Sequence, residues 1–318
     1  MHYRRLGRSG LKVSEISLGA WVTFGDQIDA KAASELIHAA YEAGVNYFDN
    51  ADIYANGQAE TDMGRAIKDL PREALVLSSK VFWPTMPGPN GRGLSRKHIL
   101  ESVHASLKRL GSDYLDLYFC HRFDPDAPVE EVVWAMDDLV HQGKVLYWGT
   151  SEWRAWQIST AFCVADSHHL VPPSMEQPQY NMFHRERVED EIAPLCKEFG
   201  IGLTTFSPLY YGILSGKYNE GIPNGTRASL PDYSWIRERI TPERIATVRK
   251  LGEMAAELGL TTAQLAIAWV LRRKDVSTVI TGATKLPQLE ENLAAAEAVE
   301  KLSDDALDRI EKILGPGE

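Results

Sequence analysis

Asp49, Tyr54, Lys80 and His121 are residue types that together can deliver a proton to a carbonyl oxygen. A phenol with an unperturbed pKa near ~10 is too weak a donor for easy use at neutral pH. A neighbouring ammonium favours the phenolate and lowers that value. Lys80 can supply the ammonium if a carboxylate such as Asp49 holds it in place. Tyr54 would then be a general acid, protonating a carbonyl oxygen while hydride reaches its carbon. His121 would orient the carbonyl or help relay the proton. Lys80 could instead serve as a Schiff-base nucleophile, but that role needs an unpaired amine, and Asp49 works against one.

Such chemistry requires distant parts of the chain to meet, and the hydrophobic period shows how they can. Strand-like runs at 16–21, 46–49, 74–81, 114–121, 145–151, 174–177, 201–207 and 277–282 alternate with helical faces. Helices are expected over 30–43, 59–67, 96–110, 129–142, 155–167 and 188–199. Further ones over 242–258, 262–273 and 288–299 surround the last strand, and 303–314 closes the chain. Ser95 can cap the third helix and Gly111 end it. Eight strands alternating with helices, without a linker, predict an α/β fold: a (β/α)8 TIM barrel forming one domain over 1–318. An N-terminal β-hairpin over 3–14, plugging the barrel bottom, and extra helices go beyond the basic unit. A doubly wound open sheet is the competing architecture.

Position then singles out the polar residues. Asp49, Lys80, His121, Ser151, Gln177 and Ser207 each lie at the C-terminal end of a separate predicted strand, the face where such barrels carry their sites. Tyr54 follows Asp49 by five residues, in a loop able to fold back over the barrel mouth. The 209–240 segment after the seventh strand is long, and loops of that length usually have a function.

Composition narrows the field. The 318 residues are 44% hydrophobic, enough for a large core. With 34 basic and 44 acidic residues the net charge is −10, which argues against nucleic-acid binding but leaves room for one phosphate-bearing cofactor. Cys120, Cys163 and Cys196 are far apart, and His168-His169 has no partner at ligand spacing, so no metal is expected. The opening stretch MHYRRLGRSG lacks an apolar signal region and no run approaches the ~18 apolar residues of a span. The expectation is a cytoplasmic protein without membrane insertion. Gly88-Pro89-Asn90-Gly91-Arg92-Gly93 and Gly212-Ile213-Leu214-Ser215-Gly216-Lys217 do not have the strand-to-helix context or spacing of phosphate loops.

The stretch Asp49-Asn50-Ala51-Asp52-Ile53-Tyr54-Ala55-Asn56-Gly57-Gln58-Ala59-Glu60 resembles the strand-two signature of the aldo-keto reductase superfamily. Gly19-Ala20-Trp21-Val22-Thr23-Phe24-Gly25, Lys80-Val81-Phe82-Trp83, Trp148-Gly149-Thr150-Ser151, Ser215-Gly216-Lys217-Tyr218 and Gln264-Leu265-Ala266-Ile267-Ala268-Trp269 carry a closer likeness. They resemble the branch of potassium-channel β-subunits and their bacterial relatives. The resemblance implies a catalytic tetrad at Asp49, Tyr54, Lys80 and His121. It also implies NADPH-dependent reduction of aldehydes or ketones, small-molecule carbonyl substrates and a homo-oligomer, a tetramer in that branch. An NADPH-binding, redox-sensing accessory protein with little turnover is the alternative. Channel β-subunits carry Asn where this chain has His121, which favours the enzyme.

By the same resemblance, Ser151 and Gln177 would hold the nicotinamide carboxamide and Phe206 would stack on the ring. Ser207, Pro208, Leu209 and Gly212 would line the centre of the cofactor, with Lys217 near the pyrophosphate and Arg227 at the adenosine 2′-phosphate. Arginine there favours NADP over NAD, since a guanidinium meets phosphate in bidentate geometry. Gly282, Thr284, Gln288, Glu291 and Asn292 match the adenosine site, and Trp21, Gln27 and Asp49 further cofactor contacts. Trp83, Trp21, Tyr54 and His121 would wall an apolar substrate pocket better suited to aldehydes and small ketones than to charged sugars. The chain departs from the pattern at Phe206, where Trp or Tyr is more usual, at Glu152, where Asn or Arg is, and at the bulky Tyr210-Tyr211 pair.

Overall fold

The computed structural model describes residues 1–315. Its centre is a closed barrel of eight parallel strands, β3 (Ile16–Gly19), β4 (Tyr47–Asp49), β5 (Val76–Val81), β6 (Leu115–Cys120), β7 (Val145–Ser151), β8 (Met175–Gln177), β9 (Gly202–Phe206) and β10 (Val276–Thr281), each paired with its neighbours in chain order and β10 closing onto β3. β5 and β6 are buried along their whole length, as strands covered on both faces must be. The antiparallel hairpin β1 (Tyr3–Arg5) and β2 (Lys12–Ser14) lies at the N-terminal end. Leu6 and Val13 pack with Tyr47, Val76, Leu117 and Met175 inside the barrel, so the hairpin plugs its bottom.

The helices α1 (Ala30–Glu42), α2 (Gln58–Ala66), α3 (Arg96–Leu110), α4 (Val129–His141), α5 (Ala155–His168) and α6 (Ala193–Phe199) separate successive strands. Their ends follow from local chemistry. Asp29 and Ser95 accept from the first-turn amides of α1 and α3, and Gly111 ends α3 in the left-handed conformation that a side chain disfavours. After β9 the 209–240 segment folds into short turns and the single helical turn α7 (Ser234–Arg237). It is followed by α8 (Pro242–Glu257) and α9 (Thr262–Leu271), which Thr261 and Gln264 open with reciprocal hydrogen bonds. α10 (Leu286–Ala298) and α11 (Asp304–Leu314) complete the chain.

Two boundaries differ for identifiable reasons. The helix expected over 188–199 is split: Arg187–Ile192 winds with wider π-type bonds and only Ala193–Phe199 is α-helical. Pro194 explains this, because it lacks an N–H and its ring crowds the carbonyl one turn back. α10 begins at Leu286 rather than 288, with Pro287 in its first turn, where the missing N–H costs nothing. No single helix among the described residues is long and apolar enough to cross a membrane.

Candidate active site

Strand register brings the chemistry-bearing ends to one rim. Asp49 sits opposite Gly19, and Ser151 opposite Gln177. Lys80, fully buried, spends its ammonium on three acceptors: Asp49 Oδ2 at 2.7 Å, the Asn50 carbonyl at 2.7 Å and Tyr54 Oη at 3.2 Å. An ammonium has three donors, so none is left over. Asp49 is held in turn, its Oδ1 accepting from Tyr47 Oη, Ser78 Oγ and Gln177 Nε2. The His121 ring stands edge-on to Tyr54 with centroids 5.9 Å apart, and Trp83 lies 6.3 Å beyond His121. A Schiff-base role for Lys80 finds no support here, because its nitrogen is saturated and Asp49 and Tyr54 outweigh burial in raising its pKa.

Tyr54 corrects one expectation. Burial drives the phenol's pKa up, and the Lys80 ammonium pulls it down by less, so the net shift is upward. The group is therefore a protonated donor across the neutral range. Burial, then the Lys80 and Arg122 charges, hold His121 well below the ordinary imidazole pKa, and the ring is neutral. Its Nδ1 is buried without a hydrogen-bond partner among the described residues.

A cavity of about 910 Å³ opens at this rim. Trp21, Gln27, Asp49, Tyr54, Trp83 and His121 line one part of it, and Ser151, Gln177, Phe206, Ser207, Pro208 and Leu209 another. It extends past Gly212, Lys217 and Arg227 to Gly282, Thr284, Gln288, Glu291 and Asn292. Of the residues expected at the site only Lys80 is off the surface of the cavity, lying behind Tyr54. Among the described residues, five of the eight non-glycine positions with positive φ, Val22, Ala55, Glu152, Ser207 and Tyr211, also line it. Backbone strain of this kind concentrates where loops are shaped around ligands.

Details refine the expected roles. Ser151 Oγ donates to the Gln177 carbonyl at 2.9 Å, and Gln177 Nε2 to Asp49, which leaves the Gln177 Oε1 acceptor free among the described residues. Phe206 meets Trp21 edge-to-face with centroids 6.3 Å apart. Gln288 Oε1 accepts from the amide and hydroxyl of Thr284, and Asn292 donates to the Gly282 carbonyl. Lys217, exposed at the cavity edge, and Arg227, half-buried, both line the cavity and have no carboxylate within ion-pair distance among the described residues. Burial, aided by Arg227, lowers the Lys217 ammonium to about 8, and burial holds Arg227 below its usual value. Gly212 (φ +95°) is needed beside them, since a Cβ there would lie 2.5 Å from Lys217 Nζ.

Glu152 lines the cavity with its charge already matched. Its carboxylate pairs with Arg187 at 2.8 Å and accepts from the Gln179 amide at 2.7 Å, tying the ends of β7 and β8 together. Tyr211 donates to Gln179 Oε1 and packs edge-on against Trp21 and Trp235. Asp26 and Tyr233, joined by a 2.7 Å hydrogen bond, link the β3 loop to the 209–240 segment beside the cavity. Glu152 and Tyr211 stand out in the sequence as departures from the family pattern, whereas Asp26, Gln179 and Tyr233 do not, because each is meaningful only through a partner far along the chain. Arg122 could have been found, since it follows His121 directly at a strand end.

Asp52, inside the Asp49–Tyr54 loop, is also new. Its Oδ2 accepts from Ser102 on α3 while Oδ1 is buried without a partner among the described residues. Burial, opposed by Ser102 and reinforced by the Glu60 charge, raises its carboxyl to about 7. An acid whose folded pKa exceeds its unfolded value stabilises the fold below the unfolded value and loses that contribution as pH rises through the folded one. The window is therefore about 4 to 7. The Tm of Asp52→Asn should match wild type near pH 4 and exceed it by several degrees near pH 8, read by thermal unfolding across that range.

The chain belongs to the aldo/keto reductase family, whose model matches residues 15–315. It is 50% identical, over 318 residues covering 99% of this chain and 97% of theirs, to proteins of Arabidopsis thaliana and of Oryza sativa subsp. japonica, each named "Probable voltage-gated potassium channel subunit beta". The chain thus falls in the channel β-subunit-like branch to which its motifs pointed.

Proposed function

We propose that the protein is an NADPH-dependent reductase of aldehydes and ketones in which Tyr54 is the general acid. The observation that carries this reading is the Tyr54–Lys80–Asp49 chain of hydrogen bonds at the rim of a cavity that also reaches the unpaired Lys217 and Arg227. Two cations lining the cavity without paired acids among the described residues are a fit for a cofactor with a pyrophosphate and a 2′-phosphate, and the cavity volume of about 910 Å³ suits a large ligand. Lys217 would meet the pyrophosphate and Arg227 the 2′-phosphate, while Gln177 Oε1 and Ser151 would hold the carboxamide, with Phe206 against the ring.

When bound, the dinucleotide supplies a hydride to the carbonyl carbon. The chain's own part is the proton and its field. Tyr54 donates its proton to the carbonyl oxygen as charge builds there, and the resulting phenolate is held by Lys80, whose ammonium Asp49 fixes in place. Neutral His121 orients the oxygen without competing for the proton. Solvent then returns a proton to Tyr54.

NADPH consumption followed by absorbance across a panel of aldehydes and ketones, with NADH alongside, tests the reading; many turnovers per site are expected. The names of the plant relatives favour a second reading, a cofactor-binding accessory protein, and oxidation that stalls after one turnover with every carbonyl would support it instead. Arg227→Ala should raise the Kd for NADPH about 10- to 100-fold by removing a charge-assisted fork, and move that for NADH less than threefold. Equal losses for both cofactors would remove Arg227 from the 2′-phosphate.

A further inference from the structure

The proposed reductase site contains a cation that neither gives nor takes the proton. Arg122 follows His121 at the end of β6 and lines the same cavity as Tyr54, His121 and Trp83. Its guanidinium carbon stands 5.7 Å from the centre of the Trp83 ring, and one nitrogen donates to the His121 carbonyl. Among the described residues no carboxylate lies within ion-pair distance of it, although the chain has 44 acids against 34 basic residues. Arg227 apart, which faces the proposed cofactor phosphate, several half-buried arginines do find acids: Arg72 pairs with Asp116, Arg109 with Glu60 and Arg187 with Glu152. The acids nearest the reacting end are already matched, Asp49 by Lys80 and Glu152 by Arg187. Arg122 therefore faces the cavity with uncompensated charge and with N–H groups beyond the one given to His121.

We propose, resting on the reductase reading, that this site takes aldehydes with an apolar body and an anionic tail, a carboxylate or a phosphate monoester, and that Arg122 holds the tail. Trp83, more than a third exposed, offers its face to the body of the substrate, and the guanidinium beside it offers a fork to the anion. The aromatic wall alone suggested neutral carbonyl compounds; the unpaired arginine at its edge changes the class. The same charge would steer anionic substrates into the mouth of a protein that is negative as a whole.

The test uses matched pairs with the NADPH-loaded protein: 4-carboxybenzaldehyde against 4-methylbenzaldehyde, and glyceraldehyde 3-phosphate against glyceraldehyde. Wild type should prefer the anionic member of at least one pair by tenfold or more in kcat/KM, and the pair that shows it assigns the tail as carboxylate or phosphate. Arg122→Met should lower that ratio at least tenfold, chiefly through KM, and Arg122→Lys should restore part of it. A wild type with no preference, or a ratio unchanged by Arg122→Met, would overturn the proposal. Quenching of tryptophan fluorescence by 4-carboxybenzyl alcohol and by glycerol 3-phosphate, on protein loaded with NADP⁺, separates it from the parent reading. Saturable quenching lost in Arg122→Met, in a protein that reduces no aldehyde, would keep the anion site while ending the reductase. Quenching equal in both proteins would end the anion site while leaving the reductase intact.

Discussion

Replacing Tyr54 by phenylalanine is expected to lower kcat by about 10²- to 10⁴-fold, the range typical of a lost general acid, while the Kd for NADPH stays within about threefold. The substitution removes only the hydroxyl oxygen that sits 3.2 Å from Lys80 Nζ and leaves the ring that stands against His121. The wild-type pH profile belongs to the same prediction. Because burial outweighs the ammonium and keeps the phenol's pKa above its ordinary value, turnover should be level across neutral pH and fall only in alkaline solution, where the donor proton is gone. His121, held neutral by burial and by two neighbouring cations, adds no inflection near pH 6.5. Stopped-flow measurement of NADPH oxidation and a fluorescence titration of the cofactor read the two quantities. Turnover within threefold of wild type would remove Tyr54 from the chemistry.

The sign of the Tyr54 shift marks a boundary of what the chain discloses by itself. That Asp49, Lys80 and His121 meet is legible, since a barrel of alternating strands and helices puts every strand's C-terminal end on one face. Which of two opposed effects wins at Tyr54 depends on how much water the fold removes, and no spacing records that. The 209–240 segment shows the same limit. Its length advertised a function, but the placing of Lys217 and Arg227 on one cavity wall, and the meeting of Tyr233 with Asp26, are made by irregular turns with no period to read. Without the family likeness both cations are ordinary lysines and arginines among 34. Glu152 illustrates it from the other side: as a letter it is a misplaced acid near a cofactor, and only the fold supplies Arg187 to neutralise it.

Lys80→Met should be the most damaging single change to stability. It leaves Asp49, with 3% of its side chain exposed, as a buried carboxylate that keeps neutral donors from Tyr47, Ser78 and Gln177 but has lost its cation at 2.7 Å. Breaking a buried pair in this way costs about 3–5 kcal/mol, most of it the unpaired charge. Asp49→Asn should cost a similar amount by stranding the ammonium. The double variant removes both charges, so it should be less unstable than the two singles summed, with a coupling of about 2–3 kcal/mol in urea unfolding. Turnover should not return with stability, because Tyr54 then has no ammonium to hold its phenolate, and the phenol's pKa should rise further in Lys80→Met than in wild type. Additive losses would mean that the two charges are not one unit. A double variant that regained both stability and turnover would mean that the pair serves the fold alone, and that the proton reaches the carbonyl from somewhere other than the Tyr54–Lys80 contact.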